Sequence, residues 1–188
     1  MLTPNSHTFS EAPAMSTPAA LPTGHEVRFG DEELIVSKTD LKGRITYVNR
    51  TFMQIAGYAE HELLGQPHNI IRHPDMPRSV FRYLWDTIQA GREIFAYVKN
   101  MTKAGDHYWV FAHVTPTLGT DGAIAGFHSN RRTALRPAIT AIEPIYAALR
   151  AEEAKHANVK DGAMAGLALL EGTLRDAGKP YDEFVFAL

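Results

Sequence analysis

At 188 residues the chain is long enough for one domain with extensions around a real core. Its 19 basic and 21 acidic residues give a formal net charge of -2, so no overall field favours nucleic acid or an anionic membrane. It contains no cysteine, which excludes disulfides, thiolate metal sites and cysteine-based catalysis or photochemistry.

Residues 1–24 are rich in Pro, Thr, Ser and Ala with little periodicity, and read as a flexible tail. They lack the basic start and apolar run of a secretory signal. The most apolar stretch, 163–170, is far shorter than the roughly 20 residues a bilayer requires. A cytoplasmic protein without membrane insertion is the expectation.

Residues 33–38 predict a short apolar strand, followed by the turn Asp40-Leu-Lys-Gly43 and a second strand over 44–48, which together make a hairpin. Two short helices follow over 49–56 and 59–64, closed by Gly57 and Gly65, since glycine relieves the left-handed cap conformation. The loop 66–76 then packs His68, Asn69, Arg72, His73 and Asp75 between prolines. Pro77 suits a first helical residue, and Val80, Phe81, Leu84, Trp85 and Ile88 form an amphipathic stripe that ends at Gly91. Three strands are predicted over 94–102, 107–117 and 123–131, with glycine-containing turns between them. The order β-β-α-α-α-β-β-β implies an α+β unit over 25–134, an antiparallel sheet with short helices over one face. Residues 135–188 read as a helical extension, with helices over 138–155 and 159–177. Pro144 inside the first is expected to kink or limit it.

Strand alternation places Ile94, Ala96, Val98 and Asn100 on one face, where an asparagine ending an apolar row must find partners if buried. Its amide either bonds a neighbouring loop or pairs with a polar ring edge inside the domain. The face Tyr108, Val110, Ala112, Val114 is core. The opposite face, His107, Trp109, Phe111 and His113, is unusually aromatic for a solvated surface, and either a helix of this chain or a second subunit covers it. Arg131, with Phe127 and Ser129, lies at a sheet rim or aims at a buried polar ligand.

The nine histidines do not make a metal site, because His68 and His73 are five apart in a proline-broken loop without the spacing a zinc helix needs. Haem needs only one axial histidine and stays open. Neither a nucleophile elbow nor a phosphate-cradling glycine run is present, and Glu152 and Glu153 read as solvated charge on a surface helix. Nothing points to an enzyme.

Through Ser37-Lys-Thr-Asp-Leu41, Tyr47-Val-Asn-Arg-Thr-Phe52, Gly57-Tyr58, Glu62-Leu-Leu-Gly-Gln-Pro-His-Asn69, Arg72-His-Pro-Asp-Met-Pro77, Val98-Lys-Asn100 and Gly105-Asp-His-Tyr-Trp109, with Glu143-Pro-Ile-Tyr-Ala-Ala-Leu149 beyond them, the stretch 33–150 bears a resemblance. It resembles a PAS domain, most of all the sensory domain of the bacterial aerotaxis receptors. It implies a PAS fold, with a five-stranded antiparallel sheet and helices around a pocket for non-covalently bound FAD. The redox state of the flavin is then passed as a conformational change to a signalling partner, in a chemoreceptor or kinase pathway, with a homodimer expected. The residues so implied for binding FAD or keeping its pocket are Asn49, His68, Arg72, His73, Asp75, Asn100 and Arg131, with Arg72 the candidate for the pyrophosphate. Trp85 and Ile88 are expected as core beneath the pocket. Two departures accompany the resemblance. Ile94 stands where the family has a tryptophan, and the membrane anchor and signalling coiled coil of a receptor are not in the sequence, so a stand-alone sensor is expected. Light sensing by a cysteinyl adduct is excluded by the missing cysteine. The rival readings are a haem gas sensor and a cofactor-free module using Trp109, Phe111 and the tail helices as a dimer interface.

Overall fold

The computed structural model describes residues 20–188; most of the expected tail, 1–19, lies outside them. Within 20–27 the backbone is already tied to the domain, with Thr23 N–H donating to Gly105 O at 3.0 Å and Val27 N–H to His107 O at 2.7 Å.

Strands β1 (Ile35–Thr39) and β2 (Ile45–Val48) form the expected hairpin. Its turn is held by Asp40 Oδ1, which accepts from Lys42 N–H and Arg44 N–H at 2.9 and 2.8 Å. Gly43 sits at φ +75°, a conformation other residues adopt only with strain. Helices α1 (Arg50–Ala56) and α2 (Glu60–Leu63) follow, then a 3-10 turn at His68–Ile71 within the loop, and helix α3 (Arg78–Gln89). Pro77 is the cap before α3 rather than its first helical residue, so α3 starts without a side-chain cap of its own.

Strands β3 (Ile94–Met101), β4 (His107–Leu118) and β5 (Ile124–Thr133) complete a five-stranded antiparallel sheet in the order β2-β1-β5-β4-β3. This is the expected α+β architecture. Because the central pairs are Ser37 with Ser129, Ile35 with Arg131, Ala112 with Arg131 and Val98 with Val110, strand alternation puts Asn100, Ser129 and Arg131 on the face that α1–α3 enclose.

The other face is covered by the chain itself, through α4 (Arg136–Glu153) and α6 (Tyr181–Phe186). The Tyr146 ring of α4 stacks on Trp109 at 6.4 Å and its hydroxyl donates to Tyr97 O at 2.7 Å. Phe186 of α6 lies 4.7 Å from Phe95 and 5.7 Å from Phe111. Of the two possible covers for this aromatic face, a helix of the same chain is the one observed. Pro144 lies inside α4 on an exposed turn and does not end the helix. Helix α5 (Val159–Ala177) starts on Asn158, whose Oδ1 accepts from Lys160 N–H at 2.8 Å, and stops at Gly178 at φ +64°. The short α6 was not anticipated from sequence. It has only six residues, and the Tyr181 ring packed on Tyr83 at 4.6 Å fixes it from outside.

Candidate functional site

The loop 64–77 is pinned to the hairpin by backbone bonds. Ile45 N–H donates to Gln66 O, His68 N–H donates to Gly43 O, and Arg44 Nη1 reaches Gly65 O at 3.0 Å. At its far end Arg72 bridges to Asn100 of β3. Three prolines and these bonds fix the loop as one wall of a cavity of about 280 Å³ between the sheet and α3. The apolar part of the wall is Phe81, Leu84, Trp85 and Ile88 of α3 facing Val98, Val114 and Phe127 of the sheet. Trp85 and Ile88 therefore line the cavity itself rather than lying beneath it. Trp85 meets Phe127 edge-to-face at 5.3 Å and closes over Gly43, where a Cβ would stand 2.9 Å from its ring. Ile94 is fully buried and does not reach the cavity.

The polar part combines the cations Lys42, Arg72 and Arg131 with hydroxyls, amides and imidazoles. Arg131 is 4 % exposed, and its Nη2 donates to Ser37 Oγ at 2.7 Å and to His68 Nε2 at 2.6 Å. Because the guanidinium can only donate, His68 Nε2 is the acceptor and the ring proton of the neutral imidazole sits on Nδ1, with Ser37 Oγ 3.1 Å from the same Nε2. Burial pushes the imidazole down to about 3, with the Arg131 charge and then Arg72 acting the same way, so His68 is neutral. Burial likewise lowers the Arg131 guanidinium to about 10, which leaves it a cation at neutral pH. The Arg72 guanidinium lies 3.9 Å over the Phe81 ring.

Arg72 Nε, Asn100 Nδ2, Ser129 Oγ and Arg131 Nη1 are buried and have no hydrogen-bond partner. Among the described residues no carboxylate lines the cavity, against Lys42, Arg72 and Arg131. A buried donor without a partner costs about 1–3 kcal/mol, more when charged. A wall with several such donors is complementary to a ligand rich in acceptors or negative charge. Of the seven residues singled out from sequence, the structure brings His68, Arg72, Asn100 and Arg131 together here.

The other three lie outside the cavity lining. Asn49 caps α1, with Oδ1 accepting from Phe52 N–H and Val36 N–H at 3.0 Å each, and its Nδ2 donates to Leu34 O at 2.7 Å. His73 is 3 % exposed, and its Nδ1 accepts from Asp75 N–H at 3.0 Å. Burial pushes it down to about 4, helped by the Lys99 charge. Asp75 accepts from Lys99 Nζ at 2.7 Å and from Arg150 Nη1 at 2.9 Å. Burial raises its carboxyl, but the Lys99 bond and charge, with His73 and Arg150, hold it below the usual range.

Sequence reasoning missed Glu153, read above as solvated charge. Its Oε1 accepts from Ser79 N–H at 2.8 Å and Ser79 Oγ at 2.7 Å, and its Oε2 from Arg78 N–H at 3.0 Å. The missing capping side chain before α3 was the available signal, because an uncapped helix start needs an acceptor from elsewhere. Among the described residues no group of three or more His, Cys, Asp or Glu is placed to hold a metal ion, and no helix is long and apolar enough to cross a membrane.

Residues 45–130 match the family model of the PAS fold. The chain is 44 % identical over 129 residues to the aerotaxis receptor of Escherichia coli (strain K12), a match covering 69 % of this chain and 25 % of that protein. It is 30 % identical over 87 residues to the blue-light-activated histidine kinase 1 of Erythrobacter litoralis (strain HTCC2594), covering 46 % of this chain and 24 % of the kinase. The chain thus spans about a quarter of the length of these two relatives. A solved light-oxygen-voltage domain, studied with a flavin analogue, superposes with a TM-score of 0.52 at 17 % identity over 65 % of this chain and 87 % of that one, which shows the shared fold.

Proposed function

The chain carries a PAS domain related to the aerotaxis receptor and to blue-light-activated kinases, and on that premise we propose that its cavity binds FAD non-covalently and serves as a redox or oxygen sensor of the energy-taxis kind. The observation that carries the proposal is that Arg72 Nε, Asn100 Nδ2 and Arg131 Nη1, all buried and unpartnered, belong to residues lining one cavity whose α3 side is apolar. An isoalloxazine ring has an apolar end and an edge of nitrogen and oxygen acceptors, so the residues present fit it. When bound, FAD supplies electron-transfer chemistry that the side chains themselves lack.

The chain's own residues bind and orient. Asn100 and Arg131 offer N–H donors to the acceptor edge, and the apolar wall from Phe81 to Phe127 excludes water from the ring. His68, held neutral, fixes the Arg131 guanidinium without competing for its charge. Arg72 takes the phosphate end. Asn49, His73 and Asp75 serve the pocket through the hairpin, loop and helix they tie together. Output is a population shift between conformers read by a protein partner, with no enzymatic step, in a cytoplasmic homodimer coupled to a chemoreceptor or kinase pathway. Against haem stands the state of the two histidines lining the cavity, because His68 Nε2 is engaged by Arg131 and Ser37 and His128 Nε2 by Asn130 Oδ1.

An absorption spectrum of the purified protein, repeated after incubation with FAD, tests this. A two-band flavin spectrum that bleaches with dithionite is expected. A Soret band means the haem sensor instead, and a protein that stays colourless with FAD sinks the flavin reading.

A further inference from the structure

Helix α3 supplies one wall of the cavity but begins behind Pro77 with no side-chain cap of its own sequence neighbours. An uncapped start leaves N–H donors and the positive end of the helix dipole to be satisfied from elsewhere. The acceptor comes from the last residue of α4, across 74 residues of chain, as three hydrogen bonds of 2.7–3.0 Å from Ser79 and Arg78 to the Glu153 carboxylate. A second tie runs beside it, from Arg150 of α4 to Asp75 of the loop.

Helix α5 closes over this junction at two glycines. A Cβ at Gly162 would meet Glu153 O at 2.6 Å, and one at Gly166 would stand 2.8 Å from Ser79 Oγ and 2.9 Å from Glu153 Cγ. The cap is thus a junction of α3, α4 and α5 that only small residues permit. The Glu153 charge also reaches the cavity, since it acts to raise the Arg72 guanidinium against burial and the repulsion of Arg78.

We propose that Glu153 is a positioning residue for the cavity, a cap in trans that makes ligand binding at α3 and docking of the C-terminal helices one coupled equilibrium. If α3 and the loop are held in their ligand-ready place by α4, whatever tightens the cavity tightens the tail, and the reverse follows by linkage. The identity of the ligand rests on the flavin reading above; the coupling between cavity wall and tail does not.

The test uses the full chain as wild type, Glu153→Ala, Glu153→Gln and Gly166→Ala. The last displaces the carboxylate with a methyl group while favouring α5 as a helix, so it covers the case in which Glu153→Ala fails to fold. In ligand-free protein, amide exchange should accelerate in Glu153→Ala both in the loop 66–77 and in 159–177, and less so in Glu153→Gln, which keeps an acceptor for Ser79. Acceleration confined to residues 78 and 79 overturns the coupling, whether or not FAD binds. With FAD as the probe, Kd should weaken about fivefold in Glu153→Ala, the size of a lost cap, and the protection that FAD gives 159–177 should vanish while that of β3 and β5 remains. Equal protection of 159–177 in wild type and variants overturns the proposal. Absence of FAD binding in wild type overturns the flavin reading alone.

Discussion

The two faces of the sheet are made of the same three strands and differ in what surrounds their unpartnered polar groups. On the outer face, Phe95, Tyr97, Trp109 and Phe111 pack under α4 and α6, and the buried Tyr146 hydroxyl there has its partner in Tyr97 O. On the inner face, Asn100 Nδ2, Ser129 Oγ and Arg131 Nη1 are buried without partners beside a cavity. The outer side also leaves His107 Nδ1 and Arg150 Nε without partners, so what sets the inner face apart is the gathering of such groups around one cavity. That face retains an electrostatic cost that folding does not remove, and such a cost marks a place built for something besides the chain.

The contrast predicts separable mutant effects. Phe111→Ala on the outer face is expected to lower stability by about 1–2 kcal/mol, below the range for a fully buried aromatic because Phe111 is only partly buried, with the flavin spectrum of the folded fraction unchanged. Denaturant titration and absorbance check both halves, and a lost flavin would erase the distinction between the faces. Arg131→Met on the inner face should behave oppositely, weakening FAD binding at least tenfold while leaving stability unchanged or slightly raised. A buried cation without a carboxylate is costly, and His68 Nε2 and Ser37 Oγ remain within bonding distance of each other. Asn100→Ala and Arg72→Ala should each lose flavin or shift its spectrum, and unchanged content and spectrum in both would remove the proposed site.

Acid should act through two imidazoles, His73 in the core and His68 partly buried at the cavity wall. His68 and His73 have folded values of about 3 and about 4, below the ordinary 6.5, so between those values and 6.5 the unfolded chain binds more protons. Stability is therefore full above about pH 6.5 and declines as pH falls towards 4, by up to about 1.4 kcal/mol per pH unit for each histidine. Asp75, held below the usual carboxylate range, adds loss in the same direction at still lower pH. Urea midpoints across pH 4–7 should flatten in His68→Gln and His73→Gln, and an unaltered slope in both removes the assignment. The smallest effect belongs to Ser129→Ala, which deletes an unpartnered hydroxyl. Ligand-free stability should stay within about 0.5 kcal/mol or rise, with FAD affinity reduced about two- to threefold; a large stability loss would mean that Ser129 has a partner inside the fold.

Much of this was legible before any coordinates. The hairpin followed from Asp40 and Gly43 and the five strands from alternation and glycine turns; parity put Asn100 at the end of an apolar row and Arg131 beside Phe127 and Ser129, and the family resemblance named both for the pocket. What alternation cannot report is whether a polar side chain ends at a ligand or at a backbone atom. Asn49 and Arg131 look equally suited to a ligand in sequence, yet the first is satisfied by Leu34, Val36 and Phe52 while the second keeps a free N–H. The six-residue α6 carried too little local signal to stand out, because its stability comes from Tyr83, Phe95 and Phe111. The same limit hid Glu153, an exposed-looking glutamate until α4 folds back on the start of α3.

The sequence by itself determined the order of elements, the absence of thiol chemistry and the faces on which polar residues ride, since these depend on spacing along one chain. Tertiary structure alone decided which donors are left unpartnered, that the aromatic face is covered by the chain's own tail, and that α3 takes its cap from Glu153. Each of those is a contact between residues tens of positions apart, and no local pattern records such a meeting.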